Sequence, residues 1–367
     1  MIGDLFPTLQ KLRGKGSDDT LVGLEVEADS VAAVEVRKNG SVELTASAVG
    51  PLAPGAVDDG EVTDRDAVAT ALRSLFASNK LSRRVRLGIA NQRVVVRTVR
   101  LPAIEDPKEL AAAVRFTAQE QIPMPIEEAV LDHRVVGGVP AGEGGPPQLD
   151  VVVVAARTGM IDAWLETLRA ADLEPVGIDL SAFGLIRALG DLPEVGDEGP
   201  AKPTTATLYC NVGDVTNLAV AQGRSCLFTR VSPAGIDDIV ASLSASTGLT
   251  REHAQQWLSY VGLAQPPESL EGDPDTVART RAALESGASA LLDELRLSLD
   301  FYSAQEGALP VDGIVLSGPG SIVPGLSERL EPGLGLPIEV RQPSALSGLD
   351  PAAAARLTLS YGLALED

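Results

Sequence analysis

Along Thr207–Arg230, TLYCNVGDVTNLAVAQGRSCLFTR, two sets of positions alternate with a period of two. Thr207, Tyr209 and Asn211 alternate against Leu208, Cys210 and Val212, and Asn217, Ala219 and Ala221 against Leu218, Val220 and Gln222. That alternation on both sides of a tight turn at Asn211-Val212-Gly213-Asp214 predicts two or three strands folded as a hairpin. An earlier stretch, Leu21–Thr45, repeats the layout: strand, short acidic turn, strand, tight turn at Asn39-Gly40, strand. The chain therefore reads as two related halves.

Between and after these hairpins the periodicity changes. Thr63 or Asp64 can cap a helix whose Val68, Leu72, Leu75 and Phe76 recur on one face before Asn79. Val85–Ala90 and Arg93–Arg100 read as strands joined at Asn91-Gln92. Asp106-Pro107-Lys108-Glu109 combines a capping acid, a proline in the first turn and a glutamate three residues past the cap, so a helix begins there and runs to Gln121. Strands at Ala129–Val136 and Asp150–Ala156 flank a loop at Gly137–Gln148. A helix from Thr158, with Ile161, Trp164, Leu165 and Leu168 on its apolar face, leads to a strand at Glu174–Leu180. Residues 102–180 thus read as an α+β subdomain inserted in a first lobe of residues 21–101.

A helix at Ser181–Leu189 and an acidic Pro/Gly stretch, Gly190–Pro203, connect to a second lobe over 204–341. There the pattern predicts helices at Gly235–Ser246, Thr250–Val261 and Asp275–Ala304. A short strand, Gly313–Ser317, runs into a Gly318-Pro319-Gly320-Ser321 turn, after which Ile322–Leu330 reads as helical. A strand at Pro337–Val340 and a helix at Pro351–Ala364 follow, and the segment 342–367 is expected to return to the first lobe.

Composition narrows the function classes. A chain of 367 residues has room for two lobes that each bury a core, and its scarcity of aromatics makes that core aliphatic. A formal charge of −21 opposes binding to nucleic acid or to an anionic membrane surface. The basic cluster over Lys80–Arg100 is interleaved with apolar strand positions and reads as a solvated face. Cys210 and Cys226 stand in strand-like apolar context with no CxxC spacing, which predicts buried free thiols. Residues 1–20 lack the apolar run of a signal peptide and read as a flexible leader without a direct membrane anchor. His133 and His253 have no nucleophile near them in sequence, and no metal-ligand spacing occurs.

Three short turns follow strands and could present backbone N–H groups to an anion: Glu25–Ser30, Asn211–Thr216 and Ser317–Ser321. In this order, within a two-lobe repeat, they resemble the phosphate and adenosine turns of the actin-like ATPase superfamily. The closest resemblance is to the PilM-like type IV pilus assembly proteins, relatives of FtsA. It covers Leu21 to Leu365 and rests on LVGLEVEADSVAAVEV, EQIPMPIEEAVLDHRVV, VVVVAARTGMIDAWLETLRAADLEPVGIDLSAFGLIRAL, LYCNVGDVTNLAVAQGRSCLFTR, LRLSLDFYSAQ and IVLSGPGSIVPGLSERL.

The resemblance implies an α/β, actin-like two-lobe fold with an inserted α+β subdomain, and ATP with Mg²⁺ held between the lobes by Glu25, Ser30, Asn211, Gly213, Thr216, Asn217, Gly318 and Gly320. It also implies a cytoplasmic scaffold that binds the N-terminal peptide of a PilN-like inner-membrane protein, joins other pilus platform or motor proteins, and leaves self-association open. The helix Pro107–Gln121 and the strand Arg93–Arg100 are the expected peptide contacts. Glu25 stands where the family usually has Asp, Glu27 where it has Gly, and Asn211 where it has Asp. Ala254-Gln255-Gln256-Trp257-Leu258 replaces an Ala-Glu-x-x-Lys pattern. An acid in a phosphate turn repels the ligand and an amide is a poor magnesium ligand, so the expectation is a degenerate site without efficient ATPase activity. The competing classes are an active actin-like ATPase or phosphotransferase and an FtsA-like membrane-associated filament protein.

Overall fold

The alternation in Leu21–Thr45 forms an antiparallel meander of β1 (Thr20–Val26), β2 (Ser30–Asn39) and β3 (Ser41–Pro51). This is a computed structural model that describes residues 20–139, 147–191, 195–196, 199–200 and 204–365. The expected leader falls almost entirely outside the described residues, as do most of the loop between Val139 and Gln148 and most of the linker at 190–203. The chain divides into two compact units, Met1–Leu180 with Leu363–Asp367, and Ser181–Gly362.

In the first unit, α1 (Arg65–Asn79) starts where the Asp64 carboxylate accepts the N–H groups of Asp66 and Ala67 at 3.1 and 3.0 Å. It stops at Lys80, which adopts a left-handed conformation. The expected loop after β3 contains a two-residue ladder, Val57–Asp58 with Glu61–Val62. There follow β4 (Arg84–Ile89), β5 (Val95–Pro102) and α2 (Pro107–Gln121), whose N–H groups at Lys108 and Glu109 are capped by Asp106. The unit is completed by β6 (Ala129–Val139), β7 (Gln148–Arg157), α3 (Thr158–Ala170) and β8 (Glu174–Leu180).

The strands joined at Asn91-Gln92 enter different sheets. β4 lies in a five-stranded sheet of order β8-β4-β1-β2-β3, while β5 lies in a three-stranded sheet of order β5-β7-β6. Burial explains the separation. Val85, Leu87 and Ile89 are buried in β4, which pairs in parallel with β1 and β8, whereas β5 buries only Val99 and Leu101, against α2. Asn91 redirects the chain between them: its Oδ1 accepts the Arg93 N–H at 2.7 Å and its Nδ2 donates to the Asp59 carbonyl at 2.6 Å. Val95–Pro102 thus shares a sheet with Ala129–Val139 and Gln148–Arg157, while Glu174–Leu180 lies in the sheet of the first meander.

The second unit opens with α4 (Ser181–Leu189), then the meander β9 (Ala206–Val212), β10 (Thr216–Gln222) and β11 (Ser225–Ser232). Helices α5 (Ile236–Thr247), α6 (Arg251–Val261) and α7 (Pro274–Ser303) precede β12 (Val311–Ser317), α8 (Leu326–Leu334), β13 (Ile338–Val340) and α9 (Pro351–Ala364). The helical reading of Ile322–Leu330 is corrected to a 3-10 turn over Pro319–Ile322, then α8, entered through a left-handed Gly325. The sheet order β13-β12-β9-β10-β11 repeats that of the first unit, with a meander on one side of the first strand and two parallel strands on the other.

The core of the second unit is aliphatic: Leu208, Leu218, Leu243, Leu258, Leu284, Leu295, Leu316 and Leu330 are all buried. Each contributes roughly 1.5–3 kcal/mol relative to exposure. Helix α9 is counted with this unit through Gly362, and the return to the first unit begins only at Leu363. The buried Arg187 of α4 donates from Nε to the Gly362 carbonyl at 2.9 Å. At the same place α9 approaches α4 so closely that a Cβ on Gly362 would overlap the Gly184 carbonyl. Gly362→Ala is therefore expected to cost about 3 kcal/mol in urea unfolding. Gly348→Ala, with open space around it, should stay within about 0.5 kcal/mol.

Candidate functional site

The tip of the first meander is held by its own residues. The Glu27 N–H donates to the Ser30 carbonyl at 2.9 Å, and Ser30 Oγ donates to Glu27 Oε2 at 3.3 Å. The Leu52 N–H donates to the Asp29 carbonyl at 2.7 Å, which ties the turn to the end of β3. Glu25, opposite Ala32 in the ladder, is buried, as is Ser30. A turn that could have offered its amide donors and a hydroxyl to an anion thus uses the Glu27 N–H and the Ser30 hydroxyl internally. It also holds a carboxylate at its tip.

The second meander has the same arrangement at its tip. Asn211 stands opposite Asn217, and Val212 opposite Thr216, across the β9–β10 ladder. The Gly213 N–H donates to the Val215 carbonyl at 3.1 Å, the Val215 N–H donates to Asp214 Oδ1 at 2.7 Å, and the Gly213 carbonyl accepts the Ile236 N–H at 2.8 Å. Thr216 Oγ1 donates to the Ala234 carbonyl at 2.5 Å. The Asp214 side chain closes the turn on itself, as aspartates in tight turns commonly do.

The third turn packs against this tip. β9 runs parallel to β12 with Asn211 beside Ser317, and Asn211 Nδ2 donates to Ser317 Oγ at 3.2 Å. Gly318 has a left-handed φ of 82°, and a Cβ there would come within 2.9 Å of the Asn211 amide group. A Cβ on Gly320 would press into Val212. Ser321 Oγ and the Ser321 N–H both donate to the Gly318 carbonyl, at 2.7 and 3.0 Å. The fold therefore brings Asn211, Gly213, Thr216, Asn217, Gly318 and Gly320 together in the second unit, with Glu25 and Ser30 at the matching place in the first. Asn217 is 2% exposed, and nothing among the described residues donates to its Oδ1.

Beside the tip, Ser232 Oγ donates to Glu294 Oε2 at 3.1 Å, and the same oxygen accepts Arg230 Nη2 at 2.8 Å. Sequence reasoning missed this network because its members lie far apart in the chain. Cys210 and Cys226 are buried free thiols. Burial pushes Cys226 up to about 12 and Cys210 further in the same direction. His133 is half-buried, and loss of solvation lowers its pKa. Among the described residues no group of three or more His, Cys, Asp or Glu comes together in a way that could hold a metal ion.

Comparison with known proteins gives a consistent picture. The family described as type IV pilus assembly protein PilM matches residues 23–366. Among solved structures, the chain is similar to the PilM-PilN type IV pilus biogenesis complex, with a TM-score of 0.75 and 27% identity over 94% of this chain and 97% of that chain. It is also similar to the ethanolamine utilization protein EutJ from Carboxydothermus hydrogenoformans, with a TM-score of 0.53 and 13% identity over 97% and 95% of the two chains. MreB 5 of Spiroplasma citri bound to AMPPNP matches with a TM-score of 0.50 and 11% identity, over 95% of each chain. The last two likenesses concern the fold alone, which is the actin-like one.

Asn211→Ala is expected to lower stability by about 1–3 kcal/mol in urea unfolding, because it removes the donor to Ser317 and opens space beneath Gly318. The thiols supply a second measurement. At about pH 8 neither cysteine should react with Ellman's reagent in the folded protein, and both should react once the chain is unfolded.

Proposed function

The chain belongs to the type IV pilus assembly protein PilM family, and from that premise we propose that it is a scaffold that captures the cytoplasmic N-terminal peptide of a PilN-like inner-membrane protein and does so without turning over ATP. The observation that carries the reading is the likeness to the PilM-PilN complex over nearly the whole of both chains. Attachment to the inner membrane then comes through the partner. Among the described residues no helix is long and apolar enough to cross a membrane.

For the peptide, the three-stranded sheet of the first unit offers the best surface. β5 is an outer strand, so an extended segment can pair with its free edge, and Arg97 and Thr98 are exposed along it. Helix α2 carries Phe116, 70% exposed, on the side away from the buried Leu110, Val114 and Ala118. An aromatic side chain left in water on the helix that packs against this sheet is a natural anchor for a peptide's apolar residues. These are the two elements expected to contact peptide, with the strand now bounded at Val95–Pro102.

For the nucleotide, the residues present do not fit a magnesium-bound triphosphate. The donors at both meander tips are taken up by Ser30, Val215 and Asp214, and Glu27 and Asp214 put negative charge where a phosphate would arrive. Asn211 offers an amide already engaged with Ser317 in place of a carboxylate.

Calorimetric titration tests both halves. A PilN-like N-terminal peptide is expected to bind saturably, ATP with Mg²⁺ is expected to give no saturable heat, and Phe116→Ala should weaken the peptide at least about tenfold. ATP binding that changes peptide affinity would overturn the nucleotide-independent reading. Peptide binding left intact by Phe116→Ala would move the contact away from α2.

A further inference from the structure

The sheet of the second unit ends on an open edge. β11 pairs with β10 along its length, and among the described residues no strand pairs with its other side. An outer strand leaves a row of outward N–H and C=O groups, which proteins usually guard with charge, proline or a covering element. β11, SCLFTRVS, contains no proline, and its one charged residue is turned away from the edge. Arg230 donates to Glu294 Oε2 at 2.8 Å and to Ser298 Oγ at 3.1 Å, both on α7, so the guanidinium is held against the helix.

Helix α7 leaves two large apolar side chains in solvent on that flank. Leu297 and Phe301, one turn apart, are 54% and 53% exposed. Their position follows from their neighbours. Residues 294, 298 and 302 form the stripe of α7 that meets β11, through Arg230 and through Phe228, whose ring centroid lies 6.0 Å from that of Tyr302. Phe301 stands next around the helix, its ring centroid 5.8 Å from that of Phe228, and Leu297 lies one turn back on the same face. Phe301 therefore stands at the flank of β11, and Leu297 extends the same exposed apolar surface one turn back along the helix. Carboxylates flank them, since Asp293 precedes Leu297 by one turn, with its side chain 78% exposed, and Asp300 is exposed beside Phe301. Arg296 holds the Gly333 carbonyl by two hydrogen bonds of 2.9 and 2.7 Å and also pairs with Asp293 at 3.8 Å, so the carboxylate left without a cation of this helix beside it is Asp300.

We propose that this edge is a second docking surface, which takes an extended cationic segment of a partner protein by strand addition to β11. The partner's main chain bonds to the free edge, alternate apolar side chains cover Leu297 and Phe301, and lysine or arginine meets Asp300. Charge decides among occupants. A second copy of this chain would bring the same acids to the same place and would carry another −21, whereas a cationic segment is drawn in. The inference uses the second unit alone and does not depend on the peptide surface of the first.

The test is fluorescence titration and hydrogen exchange on the full chain with a labelled synthetic peptide that alternates lysine with valine or leucine, beside a counterpart with glutamate for lysine. The cationic peptide is expected to bind saturably and to slow exchange of the Phe228–Val231 amides, and the anionic one is expected not to bind. Phe301→Glu and Leu297→Glu should each weaken binding at least about tenfold, while Val42→Ser, at an exposed position on β3, leaves it unchanged. If a glutamate variant fails to melt like the parent protein, Phe301→Ser and Leu297→Ser serve in its place. Equal binding of the anionic peptide, or protection confined to other strands, would overturn the proposal. So would a dimer in light scattering that Phe301→Glu dissociates, since the occupant would then be a second copy.

Discussion

The second unit depends on how β9 ends. The strand is buried along nearly all its length and hydrogen-bonded on both sides, to β10 and to β12. Such a strand can carry apolar residues until it reaches a turn, where polar groups have to find partners in a place with little water. Asn211 meets that condition by donating to Ser317 at the end of the neighbouring parallel strand. Once that amide is there, the following turn can approach only without side chains, and Gly318 and Gly320 supply the absence of a Cβ. The left-handed backbone of Gly318 then lets its carbonyl take both donors of Ser321 and start the short 3-10 turn. Hairpin, parallel pair and turn are thus one packed unit.

This coupling explains why much of the fold was legible in the sequence. Period-two alternation on either side of Gly213-Asp214 and Asn39-Gly40 marks hairpins whose registers follow from the turns, and the repeated layout carried over to the repeated sheet order. The helix cap Asp106 was equally plain and Asp64 was one of two candidates beside Thr63, because a short polar side chain ahead of an amphipathic run has few other roles. The Asn91-Gln92 junction was legible as a join between two strands, but not the separate sheets that the strands enter, which their burial distinguishes. β4 buries Val85, Leu87 and Ile89 with Arg84 and Arg86 half-buried, while β5 buries two residues and exposes Arg97, Thr98 and Arg100, a distinction that Val-rich sequences blur because the residues that favour strands also favour burial. The network of Arg230, Ser232 and Glu294 was beyond reach, since contacts between residues some sixty positions apart leave no local trace.

The candidate site was legible as a set of positions and much less so as chemistry. Its residues do come together, yet each polar group had more than one way to be satisfied. Glu27 could have pointed toward an incoming anion; it accepts from Ser30 within its own turn. Asp214 could have been a bystander; it takes the Val215 N–H that an anion would need. Sequence names the donors and acceptors, and only the backbone path says which are already paired.

Retained glycines in a phosphate-turn pattern are therefore poor witnesses to a phosphate. In this chain the packing of Asn211 and Val212 is enough to require Gly318 and Gly320 with no ligand at all, so those positions would persist under selection for the fold alone. The informative positions are the ones that the fold leaves free to vary, such as the side chains at the tips of the two meanders. There the chain has an acid at Glu27 and another at Asp214, each turned onto its own loop. A carboxylate in such a turn raises the cost of bringing a second anion close. Turns that satisfy themselves leave each unit's sheet to its own packing, and among the described residues β5 and β11 are outer strands, the kind of edge on which another polypeptide can pair.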